Sequence, residues 1–336
     1  MLLEIRELHV DFEAGAVCRP VLVGVDLSVA DGQTVALVGE SGSGKTVTAL
    51  SVLRLLPQPP ARIVRGSILF CGRDLLALSP RELRAVRGNR VAMVFQEPMS
   101  SLNPVLTIGQ QIGEVLRIHR PSGGRAIRER TVELLRLVGL PEPHRCRRQY
   151  PHELSGGMQQ RAMIAMALAC EPGLLIADEP TSALDVVTQR QVLSLLHELR
   201  RARRMGLLLI AHDLAVVAEM ADSVCVLYSG RVIERAATHD LLAHPRHPYT
   251  QELLRCRPGV GLAPTKESRP ARRLPAIPGE APDPATRPAG CAFHPRCRLA
   301  GGDPNCRTRV PPWRWLSADQ GCACWKADGS AGDASG

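Results

Sequence analysis

The sequence predicts an α/β protein with a buried, largely parallel sheet and a loop-rich, cysteine-bearing tail. Three observations predict it. The runs "TVALVG", "GLLIAD" (173–178) and "GLLLIAHD" (206–213) are short, apolar and closed by Gly or polar residues, as buried parallel strands are. A helical pattern over 186–204 joins the last two runs, which is what a βαβ crossover requires. "GESGSGKT", Gly39 to Thr46, follows the first run and opens a second helical pattern.

Taken in chain order, residues 21–38 read as two short strands around the turn Asp31-Gly32. A helix is expected from Lys45 to Leu56, stopped by Pro57. Residues 63–70 and 90–95 read as strands, and 104–140 and 155–170 as helical. "SVCVLYSGRVIE" (223–234) reads as a hairpin turning at Ser229-Gly230. After about Leu254 prolines crowd residues 258–312 and periodicity is lost, which predicts a loop-rich extension.

The chain has 336 residues, enough for more than one domain, and 45% apolar residues, enough for a sizeable core. Aromatics are 3%, so Val, Leu, Ile and Ala must do most of the packing. No apolar run approaches the roughly 20 residues that span a bilayer, and "MLLEIRELHVDFE" carries acids within its apolar pattern, unlike a signal peptide. The expected place is the cytosol, or a membrane surface reached through a partner. The net charge is +9, and every basic residue except Lys45, Lys266 and Lys326 is arginine. The densest clusters, Arg117–Arg148 and Arg255–Arg273, lack the interleaved aromatics on which single-stranded bases stack. A solvated basic surface is therefore expected, with no nucleic-acid partner.

The chemistry is carried by three stretches. In Gly39–Thr46 the glycines Gly39, Gly42 and Gly44 let the backbone wrap a phosphate chain, and Ser41 lies on the same loop. Lys45 supplies a charge to the β and γ phosphates, and Thr46 offers a hydroxyl to Mg²⁺. In "LLIADEPTSALD", Asp178 at a strand end can hold Mg²⁺, and Glu179 beside it can orient or deprotonate water. In "LSGGMQQR" (154–161), Ser155, Gly156 and Gly157 open a helix with exposed N–H groups, a second anion site.

The combination and order of these motifs resemble the ATPase subunit of an ATP-binding cassette (ABC) transporter, with "LSGGMQQR" matching the signature of that family. The resemblance implies a P-loop NTPase fold: a RecA-like core with antiparallel β and helical subdomains, over residues 1–250, the helical subdomain inserted at about 97–165. It implies two ATPase domains paired head to tail, so that Gly39–Thr46 of one faces Ser155–Gly157 of the other across ATP. It further implies Gln96 as the loop glutamine that senses Mg²⁺ and the γ-phosphate, "SALD" (182–185) as a dimer-contact loop and His212 as the switch histidine, with Asp213 beside it. The family usually stacks an aromatic on adenine. "EAGAVCRPVL" has none, which leaves Phe12 as the nearest candidate.

Further stretches resemble the oligopeptide/dipeptide/nickel importer subfamily: "FQEPMSSLNPVLTIGQQI" (95–112), "HPRHPYTQELL" (244–254), and "LPAIPGEAPDP" followed by "GCAFHPRC". This implies peptide uptake, or nickel or another small solute, at the cytoplasmic face of a bacterial or archaeal membrane. The implied partners are a second, related ATPase subunit, two transmembrane permeases and an external substrate-binding protein. An ATPase acting on DNA or ribosomes would carry two cassettes or a long coiled coil, and this chain has one cassette and no heptad run.

The extension, 251–336, holds Cys291, Cys297, Cys306, Cys322 and Cys324. Disulfides are disfavoured in a reducing compartment. Structural zinc prefers tighter pairs, and thiolates spaced along loops suit an iron–sulfur cluster. Subfamily members with this extension carry such a cluster. The resemblance implies a [4Fe-4S] cluster on Cys291, Cys297, Cys306 and Cys324, the last chosen over Cys322 because Trp325 follows it.

Overall fold

The computed structural model describes residues 1–14, 17–96, 101–181, 184–256 and 276–327. Its strands are β1 (Leu3–Ala14), β2 (Val17–Val29), β3 (Thr34–Val38), β4 (Ala61–Phe70), β5 (Arg73–Asp74), β6 (Val91–Val94), β7 (Leu174–Asp178), β8 (Gly206–Ile210), β9 (Ser223–Tyr228), β10 (Arg231–Ala237), β11 (Arg314–Trp315) and β12 (Gly321–Cys322). The chain divides into two compact units. Unit 1 comprises Met1–Glu4, Ser28–Thr34 and Ile68–Ile210, and unit 2 comprises Ile5–Leu27, Val35–Ser67 and Ala211–Gly336.

In unit 1, β6, β7 and β8 run parallel, with Val91 opposite Leu174 and Leu174 opposite Gly206. Every residue of the three strands is buried. That is why they are apolar up to the terminal Asp178 of β7 rather than alternating: both faces are covered. The crossover from β7 to β8 is the helix Val186–Arg203, which buries Val192, Leu193, Leu196 and Leu199 along one stripe. Asp185 starts it by accepting the N–H groups of Val187 and Thr188.

The helical stretch 104–140 consists of two helices, Ile108–His119 and Gly124–Leu137. The intervening Arg-Pro-Ser-Gly ends the first helix, since Pro121 disfavours helical geometry at Arg120. Thr107 and Gln110 form a capping box at the start of the first. The helix Gly156–Ala167 completes this part of unit 1.

In unit 2, β3 and β9 are parallel, with Val35 opposite Ser223 and Val38 opposite Val226. The expected hairpin β9–β10 is present, and both of its turn residues lie at positive φ, Ser229 at 44° and Gly230 at 75°. The helix that follows the phosphate-loop motif is Lys45–Val52, shorter than expected, because Arg54 turns left-handed (φ 50°) before Pro57 is reached.

The extension is not made of loops alone. Cys322 pairs with Glu234 of β10 and Gly321 with Arg235, so β12 adds an antiparallel strand, and β11 pairs with β12 in turn. Phe293 of the extension packs against Tyr228 and Tyr249 with ring centroids 5.3 and 5.4 Å apart. All three rings are fully buried. In a chain with four Phe and three Tyr, this cluster takes a large share of the aromatic packing that the sequence can supply.

Candidate functional site

The motif residues fall in both units. In unit 2, β3 delivers the chain to Gly39, whose φ is 152°. A Cβ there would fall on the carbonyl oxygen of Leu227, so only glycine fits. Gly42 and Gly44 also lie at positive φ, and Ser41 and Gly42 are exposed. Lys45 is buried and its Nζ donates to the carbonyls of Gly39 (2.8 Å) and Glu40 (3.0 Å), folding the loop back over its own lysine. The helix Lys45–Val52 has no side-chain cap and no acid in its first turn, the polarity that suits an anion at its N-terminus, and Thr46 is exposed. Ser43 is buried at the same turn.

Also in unit 2, His212 is exposed, one residue before Asp213. Asp213 accepts the N–H of Ala215 at 3.0 Å and caps the helix Leu214–Met220, a structural use that fits an Asp at a helix start. Phe12 lies half-buried on β1.

In unit 1, Asp178 is the last residue of β7 and is buried. Glu179 follows at φ 45°, an unusual conformation for a non-glycine residue, and its N–H donates to Ile210 of β8 at 3.0 Å. Its Oε2 accepts from Nε2 of Gln96 at 2.9 Å. The glutamine of the "VFQEP" motif is thus joined to the carboxylate singled out for water. Ser155 caps the helix Gly156–Ala167 by accepting the N–H of Met158 at 3.4 Å. Gly157 is required by packing, since a Cβ there would lie 2.6 Å from Cγ2 of Thr188. Of the "SALD" loop, Ser182 and Ala183 lie outside the described residues, and Asp185 serves as the helix cap noted above.

The extension thiols gather in unit 2. The backbone N–H of Cys291 donates to the carbonyl of Cys306 at 2.9 Å. Burial pushes the Cys291 thiol up to about 11, and the thiols of Cys297 and Cys306 add to it. Burial likewise pushes Cys324 up to about 11, with Cys291, Cys297 and Cys306 contributing. Cys297 and Cys306 are raised too, chiefly by burial. Among the described residues, no group of three or more His, Cys, Asp or Glu side chains is spaced to hold a metal ion. Cys322 sits in β12, fully buried.

Sequence reasoning missed two residues at the phosphate loop. Tyr249 accepts the backbone N–H of Glu40 on its hydroxyl at 2.8 Å, and Arg296 pairs with the Glu40 carboxylate at 2.7 Å. Both lie more than 200 positions from the loop, and only "HPYT" and "HPRC" marked their stretches as distinctive.

Comparison with known proteins gives two family matches: "ABC transporter" over residues 22–182, and "Oligopeptide/dipeptide transporter, C-terminal region" over residues 233–306. The chain is 46% identical over 324 residues to the probable D,D-dipeptide transport ATP-binding protein DdpD of Escherichia coli strain K12, covering 96% of each chain. It is 46% identical over 299 residues to the oligopeptide transport ATP-binding protein OppD of Bacillus subtilis strain 168, covering 89% of this chain and 82% of OppD. Among solved structures it resembles the dimeric, post-hydrolysis ATP-binding cassette MJ0796 bound to ADP and Pi, with a TM-score of 0.64 and 28% identity over 70% of this chain and 98% of that one.

Proposed function

Because the chain belongs to the ABC transporter family and is an ATP-hydrolysing subunit with that fold, we propose that it powers import of dipeptides or oligopeptides across the cytoplasmic membrane. The observation that carries this reading is the likeness along nearly the whole chain, extension included, to ATPases named for peptide transport. No helix among the described residues is long and apolar enough to cross a membrane. The reading assigns two permeases, an external binding protein and a second, related ATPase subunit as partners, with this chain at the cytoplasmic face.

Residues 1–250 form the nucleotide-binding part, with the helical subdomain at about 97–165, and 251–336 the extension. Gly39, Ser41, Gly42, Gly44 and Lys45 cradle the phosphates of one ATP. Ser155, Gly156 and Gly157 present their helix N-terminus to the ATP held by the partner ATPase. Thr46, Gln96 and Asp178 hold Mg²⁺. The donor set fits that hard cation: a hydroxyl, an amide oxygen and a carboxylate. When bound, Mg²⁺ neutralises charge on the β and γ phosphates. Glu179 accepts a proton from the attacking water as its oxygen bonds to the γ-phosphorus, and the bond to the bridging oxygen breaks with its electron pair leaving on ADP. Gln96 holds one oxygen of the Glu179 carboxylate. His212 reaches the γ-phosphate.

In the extension, Cys291, Cys297, Cys306 and Cys324 hold an iron–sulfur cluster. Four cysteines supply the all-sulfur donor set that such a group takes, and Cys291, Cys297 and Cys306 all lie near enough to Cys324 to raise its thiol, while among the described residues no three of these side chains are spaced as a metal site. The group would supply folding free energy to a stretch poor in large apolar residues. Anaerobically purified protein is expected to contain iron and acid-labile sulfide, and their absence from folded protein removes the cluster.

Reconstitution with its permeases, its partner ATPase and the substrate-binding protein in proteoliposomes tests the transport reading. ATP-dependent accumulation of labelled di- or oligopeptide is expected. Accumulation of Ni²⁺ without peptide, or ATP hydrolysis uncoupled from either, contradicts it.

A further inference from the structure

Glu40 is the second residue of the phosphate loop, and three groups hold it. Its N–H donates to the Tyr249 hydroxyl at 2.8 Å, and its carbonyl accepts from Lys45 Nζ at 3.0 Å. Its carboxylate accepts from both ends of the Arg296 guanidinium, Oε2 from Nη1 at 2.7 Å and Oε1 from Nη2 at 3.0 Å. The Arg296 side chain is only 6% exposed and that of Glu40 25%, so water screens the pair weakly. Arg296 is itself fixed. Its Nε donates to the carbonyl of Pro278 at 2.9 Å, Nη1 also reaches the Tyr228 hydroxyl at 3.3 Å, and its guanidinium lies 6.0 Å from the centre of the Tyr228 ring. Tyr228 and Tyr249 are the rings on which Phe293, three residues earlier, is packed.

A carboxylate inside a loop built to receive a polyphosphate repels that ligand. The planar fork of an arginine matches a carboxylate two bonds at a time and neutralises it. We propose that Arg296 of the extension is a positioning residue for nucleotide: it neutralises the Glu40 carboxylate beside the phosphate site, so that the extension sets the affinity for MgATP. The proposal rests on the reading of Gly39–Thr46 as the ATP cradle. It gives the extension a role at the nucleotide. Because Arg296 adjoins Cys297 in sequence, whatever orders the thiol-bearing turn also orders the counter-charge.

The test is a charge cycle on the full-length chain, with MgATP affinity read by equilibrium titration of a fluorescent ATP analogue and KM and kcat read in the assembled transporter. Arg296→Gln leaves one uncompensated negative charge at the loop and is expected to weaken MgATP binding by on the order of tenfold. The kcat at saturating ATP should stay within about twofold of normal, because the interaction acts on binding alone. Glu40→Gln leaves the arginine uncompensated and is expected to tighten MgATP binding, an effect that fades with added salt. The double variant restores the charge balance and should return to within about twofold of the unmodified chain.

A purely structural role gives a different pattern: both single variants weaken binding and the double variant does not recover. That result overturns the proposal, as does unchanged affinity in Arg296→Gln. If Arg296→Gln does not fold, the sign of the Glu40→Gln effect decides by itself, since tightening supports the clamp and weakening or no change refutes it. Lys45→Ala separates the premise. If it binds MgATP as well as the unmodified chain does, the cradle reading falls and the clamp falls with it.

Discussion

Glu179 and His247 carry opposite lessons about burial. Glu179 adopts a left-handed backbone that costs a non-glycine residue roughly 1–2 kcal/mol, and its side chain is tied to Gln96. Strain of this kind persists where surrounding structure over-determines it, and it gathers at working sites. His247 is instead structural. Its Nδ1 accepts the N–H of Tyr249 at 3.0 Å, capping the helix Pro248–Arg255, and burial presses its pKa from 6.5 down to about 3. A depressed pKa means that the folded state disfavours the proton. The stability it contributes is whole above about 6.5 and is lost as pH falls towards 3. Glu234, which accepts the N–H groups of Arg246 and His247, is raised by burial and works with the opposite sign. Between pH 6.5 and 3 the His247 contribution should fall by at most about 1.4 kcal/mol per pH unit. His247→Asn, which keeps a capping oxygen, should flatten that slope in denaturant titrations across the range. An unchanged slope would show that His247 is not the group responsible.

At the scale of elements, what repeats over several residues was legible. β3, β7 and β8 carry runs of Val, Leu, Ile and Ala bounded by Thr34, Asp178 and Gly206, and the crossover helix has its stripe, so the parallel core could be read from pattern. The hairpin β9–β10 was marked by Ser229-Gly230. Other elements carry no such signal. β1 buries Leu3 and Ile5, then Leu8 and Val10, because the positive φ of Glu7 shifts the alternation by a residue. β11 and β12 are two residues each and exist because β10 offers an edge to pair with. The break within the helical stretch 104–140 turned on one Pro-Ser-Gly stretch whose effect on length no periodicity reveals. At the candidate site, the sequence singles out the positions that lie inside contiguous motifs, Lys45, Asp178, Glu179 and Ser155, as candidates. Gln96 was singled out only through family resemblance, and its bond to Glu179, 83 positions away, was not read from the sequence. Arg296 was invisible, since its partner at Glu40 is set by the tertiary fold and not by spacing.

For the whole molecule, two levels of organisation meet in one chain. An ATPase fold shared with ABC cassettes provides the nucleotide chemistry, and an extension matched to oligopeptide/dipeptide transporters packs Phe293 and Arg296 against Tyr228, Tyr249 and Glu40. The account stands on Glu179 as the carboxylate that acts on water. The most direct measurement is ATP turnover by Glu179→Gln in the transporter assembled with its membrane subunits, beside its MgATP affinity. Turnover lower by about 10²–10⁴-fold with MgATP still bound is the expected result. Turnover close to normal would contradict the account.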